Sequence, residues 1–313
     1  MKENTRKSSI IDGVKNLRGC NEQPSNTEIM EALQRSGYLL EQRLCPIIEK
    51  CGFSVTPNEQ YQDQDTGKSR EIDIKALSVR ELNEEFNHCL FTELLAECKN
   101  NLYPVVFFSQ KESVPDWMAP AVFTGQPEVV FENATSQWKT PISSHVRFDT
   151  FHHSANPQWI ARQFCRLKKD KGKWITSHDD LYSSVESLVK ATIYFVEEFK
   201  KSCPQNRVRL SLIYPLLIFS GSIYECRVAG KQYKLKPTKH LLLHRTIRSK
   251  ELEGDFPIDV IQEEYLQRFL AMINKESDEL QKKLERKIDL LKKSIELPEV
   301  RVGIRKATKE REK

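Results

Sequence analysis

The hydrophobic pattern divides the chain into stretches of different period. Apolar residues at Ile29, Leu33, Leu40, Leu44, Ile47 and Cys51 recur at helical spacing and stop at Gly52, while Ser25 and Glu28 form a capping-box pair at the start. Pro46 lies late in this helix and removes a hydrogen bond to Gln42, which predicts a kink or break there. The period then falls to two. Phe53–Tyr61 reads as a strand, Asp63–Ser69 as a polar turn, and Arg70-Glu71-Ile72-Asp73-Ile74 as a second strand. Ser78–His88 reads as a connection or short helix, Cys89–Glu97 as a third strand and Pro104–Phe108 as a buried one. Ile160–Arg166 suggests a short helix. A longer helix follows His178-Asp179-Asp180, with Leu181, Val185, Leu188, Val189, Thr192, Phe195 and Val196 on one face. Arg209–Phe219 reads as a strand that Pro215 demotes to an interrupted or edge position. Ile223–Val228 and Gln232–Leu235 form a hairpin about Gly230, Leu241–Ile247 lies beside it, and Pro257–Glu296 is helical.

This order predicts an α/β (α+β) fold, a mixed central sheet flanked by helices. The expected organisation is a polar arm over 1–24, an α/β domain over 25–250 with an insertion at 109–160, a helical extension over 251–297 and a basic tail over 298–313. The stripe Leu280, Leu284, Ile288, Leu291 and Ile295 suits either docking on the core or dimerisation.

Strand alternation changes the picture from fold to chemistry. In Leu94–Asn100, Glu97 and Lys99 share one face and Cys98 takes the other, while Glu71 and Asp73 share a face opposite Ile72 and Ile74. Pairing these strands would bring Asp73, Glu97 and Lys99 to one sheet edge. Two carboxylates beside an amine suit a hard divalent cation acting on a phosphodiester. The alternative is a strand-edge ion pair, which contributes little at a surface.

Asp73 followed by Glu97-Cys98-Lys99 resembles the PD-(D/E)xK nuclease superfamily, the restriction-endonuclease-like fold, and Glu41 on the upstream helix matches the glutamate that many members carry. The resemblance covers roughly 25–101 well and 174–226 loosely. It implies a restriction-endonuclease-like core and a metal-dependent endonuclease acting on DNA, in restriction or anti-phage defence. It further implies Mg²⁺ or Mn²⁺ held by Asp73, Glu97 and the Cys98 backbone carbonyl, with Glu41, Asp73, Glu97 and Lys99 catalytic. A non-catalytic nucleic-acid-binding or assembly subunit on the same fold, and an RNA-cleaving nuclease, stay open.

Charge adds an expected surface. The net charge is only +5, but Arg162, Arg166, Lys168, Lys169, Lys171 and Lys173 cluster within twelve residues, as nucleic-acid-binding side chains do. Lys231–Lys250 and the C-terminal tail are also basic. No base-reading module is present, so specificity falls to the insertion, the C-terminal region or a partner protein. The need to cut two strands predicts a homodimer.

Other features add little chemistry. Eight scattered cysteines without a C-x-x-C pair indicate neither zinc nor disulfides. The start lacks a signal-peptide run and the longest apolar stretch is short for a bilayer, so the expectation is a cytoplasmic protein with no membrane partner. Gly67-Lys68-Ser69 lacks the earlier glycine of a phosphate loop, since position 62 is Gln. Asp63 and Asp65 read as solvated turn carboxylates. His145, His152 and His153 read as surface or core histidines, because no Cys or Asp at ligand spacing accompanies them.

Overall fold

The computed structural model describes residues 23–83, 88–111, 122–125, 128–132, 137–155, 157–177, 181–203, 207–249 and 252–296. Residues 1–22 of the expected arm over 1–24, the acidic cap at Asp179 and Asp180, and the expected basic tail over 298–313 lie outside them. The chain divides into two compact units, 1–39 and 40–313. In the first, helix α1 (Asn26–Arg35) opens on the expected capping box, with the Ser25 N–H donating to Glu28 at 2.8 Å. It buries no residue, and it ends where the Ser36 hydroxyl donates back to the Leu33 carbonyl at 2.6 Å.

The expected single helix is therefore two, α1 and α2 (Tyr38–Lys50), and the break falls at Ser36–Gly37 instead of Pro46. Ser36 competes for the helix carbonyls, and glycine is a poor helix former. Pro46 stays inside α2, whose buried Leu44 and Ile48 flank it and hold the helix together across the lost hydrogen bond.

The second unit continues with β1 (Ser54–Gln62), β2 (Ser69–Asn83), β3 (His88–Lys99) and β4 (Val105–Lys111). Next come β5 (Val122–Gly125), β6 (Glu128–Glu132), β7 (Gln137–Pro141) and the four-residue helix α3 (Ile142–His145). Then follow β8 (Trp159–Asp170), β9 (Lys173–Ser177), α4 (Leu181–Ser202), β10 (Arg209–Phe219), β11 (Ile223–Ala229) and β12 (Gln232–Thr238). The last elements are β13 (His240–Arg248), β14 (Glu253–Gln262), α5 (Leu266–Glu285) and α6 (Ile288–Glu296). Twelve strands form one mixed sheet in the order β1-β2-β3-β10-β14-β13-β8-β4-β11-β12, with β5 beside β10 and β9 beside β8, while β6 and β7 make a separate hairpin. A mixed sheet flanked by helices is the expected fold class.

β3 and β10 are parallel from Cys89↔Arg209 to Lys99↔Phe219, a pairing that requires a crossover, and α4 immediately precedes β10. Both faces of this pair are covered. Leu94, Ala96, Cys98, Leu212, Tyr214 and Leu216 pack with Leu44 and Ile48 of α2 and with Phe269, Leu270 and Ile273 of α5. Leu95, Ile213 and Leu217 pack on the other side with Val185, Leu188 and Val189 of α4.

Four local expectations are corrected. Residues 78–83 extend β2 instead of forming a connection, so β2 and β3 make a long antiparallel pair. Ile160–Arg166 is strand, within β8, because its apolar residues meet β4 across a ladder. β10 is central despite Pro215, which falls in the gap between its two partners on that side, β5 up to Ile213 and β14 from Leu216. Residues 257–262 are strand, not helix, with Ile258, Val260 and Ile261 fully buried in the sheet. Leu280, Leu284 and Leu291 are also fully buried in the core, so the stripe docks there.

The end of β3 is held by a close approach. Gly221 donates its N–H to the Asn101 side chain at 2.8 Å, Ser220 donates its hydroxyl to Asn100 at 2.8 Å, and the Ser220 N–H reaches the Lys99 carbonyl at 3.1 Å. A methyl group on Gly221 would overlap the Asn101 carbonyl oxygen. Gly221→Ala should therefore lower stability by roughly 1–3 kcal/mol, as overpacking does, measured by urea unfolding. A Gly221→Ala protein as stable as the parent would show that this junction yields freely.

Candidate active site

Three elements supply the expected site. β2 carries Asp73, the end of β3 carries Glu97 and Lys99, and the first turn of α2 carries Glu41. The β2–β3 register closes on Ile74↔Ala96, just short of Asp73. There Asp73 takes over from the ladder: its Oδ2 accepts the Cys98 N–H at 2.6 Å. Across β1, Asn58 lies opposite Asp73 in register and adopts a left-handed φ of 52°. On the two sides of this point Ile72 and Ile74 enter different core clusters, so strict alternation fails there. Asp73 sits where the strand pair switches faces.

On β3 alternation holds. Cys98 packs in the cluster under α2 and α5, and Glu97 and Lys99 share a face, with Lys99 Nζ 3.2 Å from Glu97 Oε2. Glu41, Asp73 and Glu97 are three carboxylates with Lys99 as their neighbouring cation: Asp73 acts on both glutamates, Glu41 acts on Glu97, and Lys99 acts on all three. Burial raises the Glu97 carboxyl to about 7, reinforced by Asp73 and Glu41 and opposed by Lys99. Burial also raises Asp73, against the Cys98 N–H and Lys99. Glu41 is raised by burial and by Asp73. The four residues are thus one electrostatic unit, with negative charge in excess.

Their geometry is not a closed ligand set. Among the described residues, three His, Cys, Asp or Glu donor atoms lie within 4.8 Å of one another in two places, His152–His153–Glu276 and His153–His240–Asp259. Those buried groups can hold a metal ion; Glu41, Asp73 and Glu97 do not converge that far. Sequence spacing missed the histidine clusters because their carboxylates come from β14 and α5, more than one hundred residues downstream. His152 is a core histidine, one of the two expected readings; what is corrected is the expectation that no acidic partner accompanies these histidines.

The basic cluster lies on a β-hairpin. Arg162, Arg166, Lys168 and Lys169 belong to β8, Lys171 to the turn and Lys173 to β9, and all but the partly covered Arg166 are exposed. Exposed Trp174 lies under the Lys169 ammonium at 5.5 Å and meets the Tyr103 ring edge-on at 5.9 Å. Through Tyr103, four residues past Lys99 in sequence, the hairpin meets the loop that follows β3.

Asp63, expected as a solvated turn residue, is fully buried. Its Oδ2 binds Arg70 at 2.7 Å and Lys190 at 3.3 Å, while Lys190 also reaches Asp65 at 3.2 Å. This network fastens the β1–β2 turn to α4. Among the described residues no helix is long and apolar enough to cross a membrane. No family model, curated protein or solved structure matches this chain.

Glu97 makes stability fall with pH. Between the unfolded value of 4.5 and about 7, the folded protein holds a proton that the unfolded chain has released. The contribution is complete below pH 4.5 and is lost as pH rises through 7. In chelator, Glu97→Gln should be more stable than the parent at pH 8, by about 1–3 kcal/mol, with the gap closing towards pH 5. Denaturation midpoints at the two pH values test this; a mutant equally destabilised at both contradicts it.

Proposed function

We propose that this protein is a metal-dependent nuclease of restriction-endonuclease-like build that hydrolyses phosphodiester bonds in DNA. The observation that carries the reading is the electrostatic coupling of Glu41, Asp73 and Glu97, with Lys99 beside them, at the end of the paired strands. The order α2-β1-β2-β3-α4-β10, with β3 and β10 parallel across the α4 crossover, supports it.

The donor chemistry fits a hard dication. Mutual repulsion and burial hold Asp73 and Glu97 above the usual carboxylate range, and a bound cation relieves both costs. Asp73 and Glu97 would hold Mg²⁺ or Mn²⁺, with the Cys98 backbone carbonyl as a third oxygen. When bound, such an ion polarises the scissile phosphate and acidifies a coordinated water. Lys99, about one-third exposed, would move from Glu97 to the phosphate or the attacking water, where a fixed cation favours developing negative charge. Glu41 would orient water at the helix side of the site. The Asp73–Cys98 hydrogen bond keeps the first carboxylate in place beside the strand that carries the others.

A nucleic-acid substrate, which we take to be DNA, is supported by the basic hairpin that meets the loop after β3. Lys168, Lys169, Lys171 and Lys173 would track phosphates, and Trp174 offers an exposed aromatic face. A second reading, a nucleic-acid-binding subunit without turnover, is favoured by the Glu97–Lys99 ion pair, which occupies the carboxylate that a metal would need.

Incubation with plasmid in Mg²⁺ or Mn²⁺ separates the two readings. Cleavage is expected, stopped by EDTA and lowered about 10²-fold or more by Asp73→Ala or Lys99→Ala. Cleavage that survives either substitution rules out this site, and salt-sensitive binding without cleavage supports the second reading. Lys168→Glu with Lys171→Glu should weaken DNA binding and flatten its salt dependence by about two phosphate contacts, measured by titration at several salt concentrations.

A further inference from the structure

A second polar centre lies apart in chemistry from the carboxylate–lysine unit. His153, from the loop after α3, is flanked by two buried carboxylates, Asp259 of β14 and Glu276 of α5. Its Nε2 lies 2.9 and 3.1 Å from the Asp259 oxygens, and its Nδ1 lies 3.0 Å from each Glu276 oxygen. His240, at the start of β13, places its own Nε2 2.7 Å from Asp259 Oδ1. Tyr214 donates its hydroxyl to Glu276 at 3.1 Å, and the His153 N–H donates to the same side chain at 2.8 Å. Among the described residues neither carboxylate has a lysine or arginine ion-pair partner.

We propose that His153 Nε2, His240 Nε2 and an Asp259 oxygen form a binding site for a zinc-class dication, with Glu276 as the outer carboxylate that orients His153.

The donor set has the right composition and spacing. Two imidazoles and one carboxylate suit Zn²⁺ and its late-transition neighbours, whereas Mg²⁺ and Ca²⁺ prefer all-oxygen shells. Donors about 2.0–2.1 Å from a tetrahedral zinc stand about 3.3 Å apart; each imidazole nitrogen lies 2.7–3.1 Å from Asp259 and the three donor atoms lie within 4.8 Å of one another, so binding needs a modest side-chain adjustment. Zinc-bound histidines commonly donate their other ring N–H to a carboxylate, which Glu276 is placed to accept. Without an ion, a protonated His153 between Asp259 and Glu276 offsets one of the two buried charges; a dication in place of that proton offsets both.

The neighbouring set, His152 with His153 and Glu276, is the weaker choice. The Ser154 N–H points at His152 Nδ1 from 3.2 Å, which keeps that nitrogen an acceptor and leaves the ring proton on Nε2. His152 Nε2 is buried without a hydrogen-bond partner and stands 3.5 Å from Glu276 Oε2. Its N–H thus adds to the polar ring around Glu276 without offering a lone pair. The stacks of His152 on Phe148 at 4.4 Å and on Tyr214 at 5.5 Å fix that orientation.

With three protein ligands the fourth position belongs to water, on the side where His240 is partly exposed. The ion would clasp the insertion before β8 to β13 and β14, joining elements about ninety residues apart. Its role is therefore separate from phosphodiester cleavage, and the two sites can fail independently.

Protein purified without chelator should carry close to one equivalent of zinc by elemental analysis. After removal with EDTA, Co²⁺ should restore one equivalent with the intense visible bands of a tetrahedral nitrogen–oxygen site, and Zn²⁺ should displace it while Mg²⁺ does not. Asp73→Asn should leave that spectrum unchanged, and His240→Asn, at the exposed rim, should weaken Co²⁺ binding at least tenfold. If His240→Asn fails to fold, zinc-edge X-ray absorption of the parent protein reads the ligands directly, with outer-shell scattering from two imidazoles expected. A parent protein that neither retains zinc nor binds Co²⁺, a cobalt spectrum that His240→Asn leaves intact, or scattering without imidazole overturns the proposal.

Discussion

The parallel pairing of β3 with β10 is the constraint on which the rest depends. Each strand is buried on both faces, so each must be apolar almost throughout, and a parallel partner must arrive by a crossover. α4 completes that crossover and covers one face, while α2 and α5 cover the other. The polar residues admitted to β3 are therefore costly ones. Glu93 is accommodated by a hydrogen bond from Ser211 at 2.6 Å, and Glu97 by Lys99. The early end of the β2–β3 ladder at Ala96 leaves the Cys98 N–H for Asp73, while the pairing with β10 runs on to Lys99. The candidate active site lies where β2 parts from β3.

Burial explains why these carboxylates differ from ordinary surface acids. An exposed triple of two acids and a lysine would ionise normally and contribute little. At the end of β3, burial and shared negative charge lift Glu41, Asp73 and Glu97 together, and Lys99 opposes the lift without cancelling it. A site held in this state has more to gain from a cation than it has from its own lysine. That gain is what connects the scaffold to the chemistry proposed for it.

Much of this was legible in the sequence, and the failures have physical causes. The strand bearing Glu97 and Lys99 follows from local alternation, the strand bearing Asp73 does so except at Asp73 itself, and α4 follows from a 3.6 period sustained over six turns. Glu41 was legible only through resemblance, since one glutamate on a helix border has no periodic signature. Pro215 misled because its cost depends on which neighbour faces the missing N–H, a tertiary fact. Residues 257–262 misled because a short apolar run ahead of a helix carries no period of its own. Asp63 was read as solvated because its partner Lys190 lies on α4, more than one hundred residues away.

The same limit of range separates the two polar centres. Glu97 and Lys99 are neighbours on one strand, so their association is written locally. His153, His240, Asp259 and Glu276 come from a loop, two strands and a helix, and only the long-range closure of the sheet brings them together. The donors differ accordingly: oxygen alone at the end of β3, nitrogen with oxygen beneath β13 and β14. Hard and borderline cations sort between such sites by ligand type. On the two proposals, the all-oxygen set favours a hard, exchangeable ion and the nitrogen-containing set a borderline, resident one.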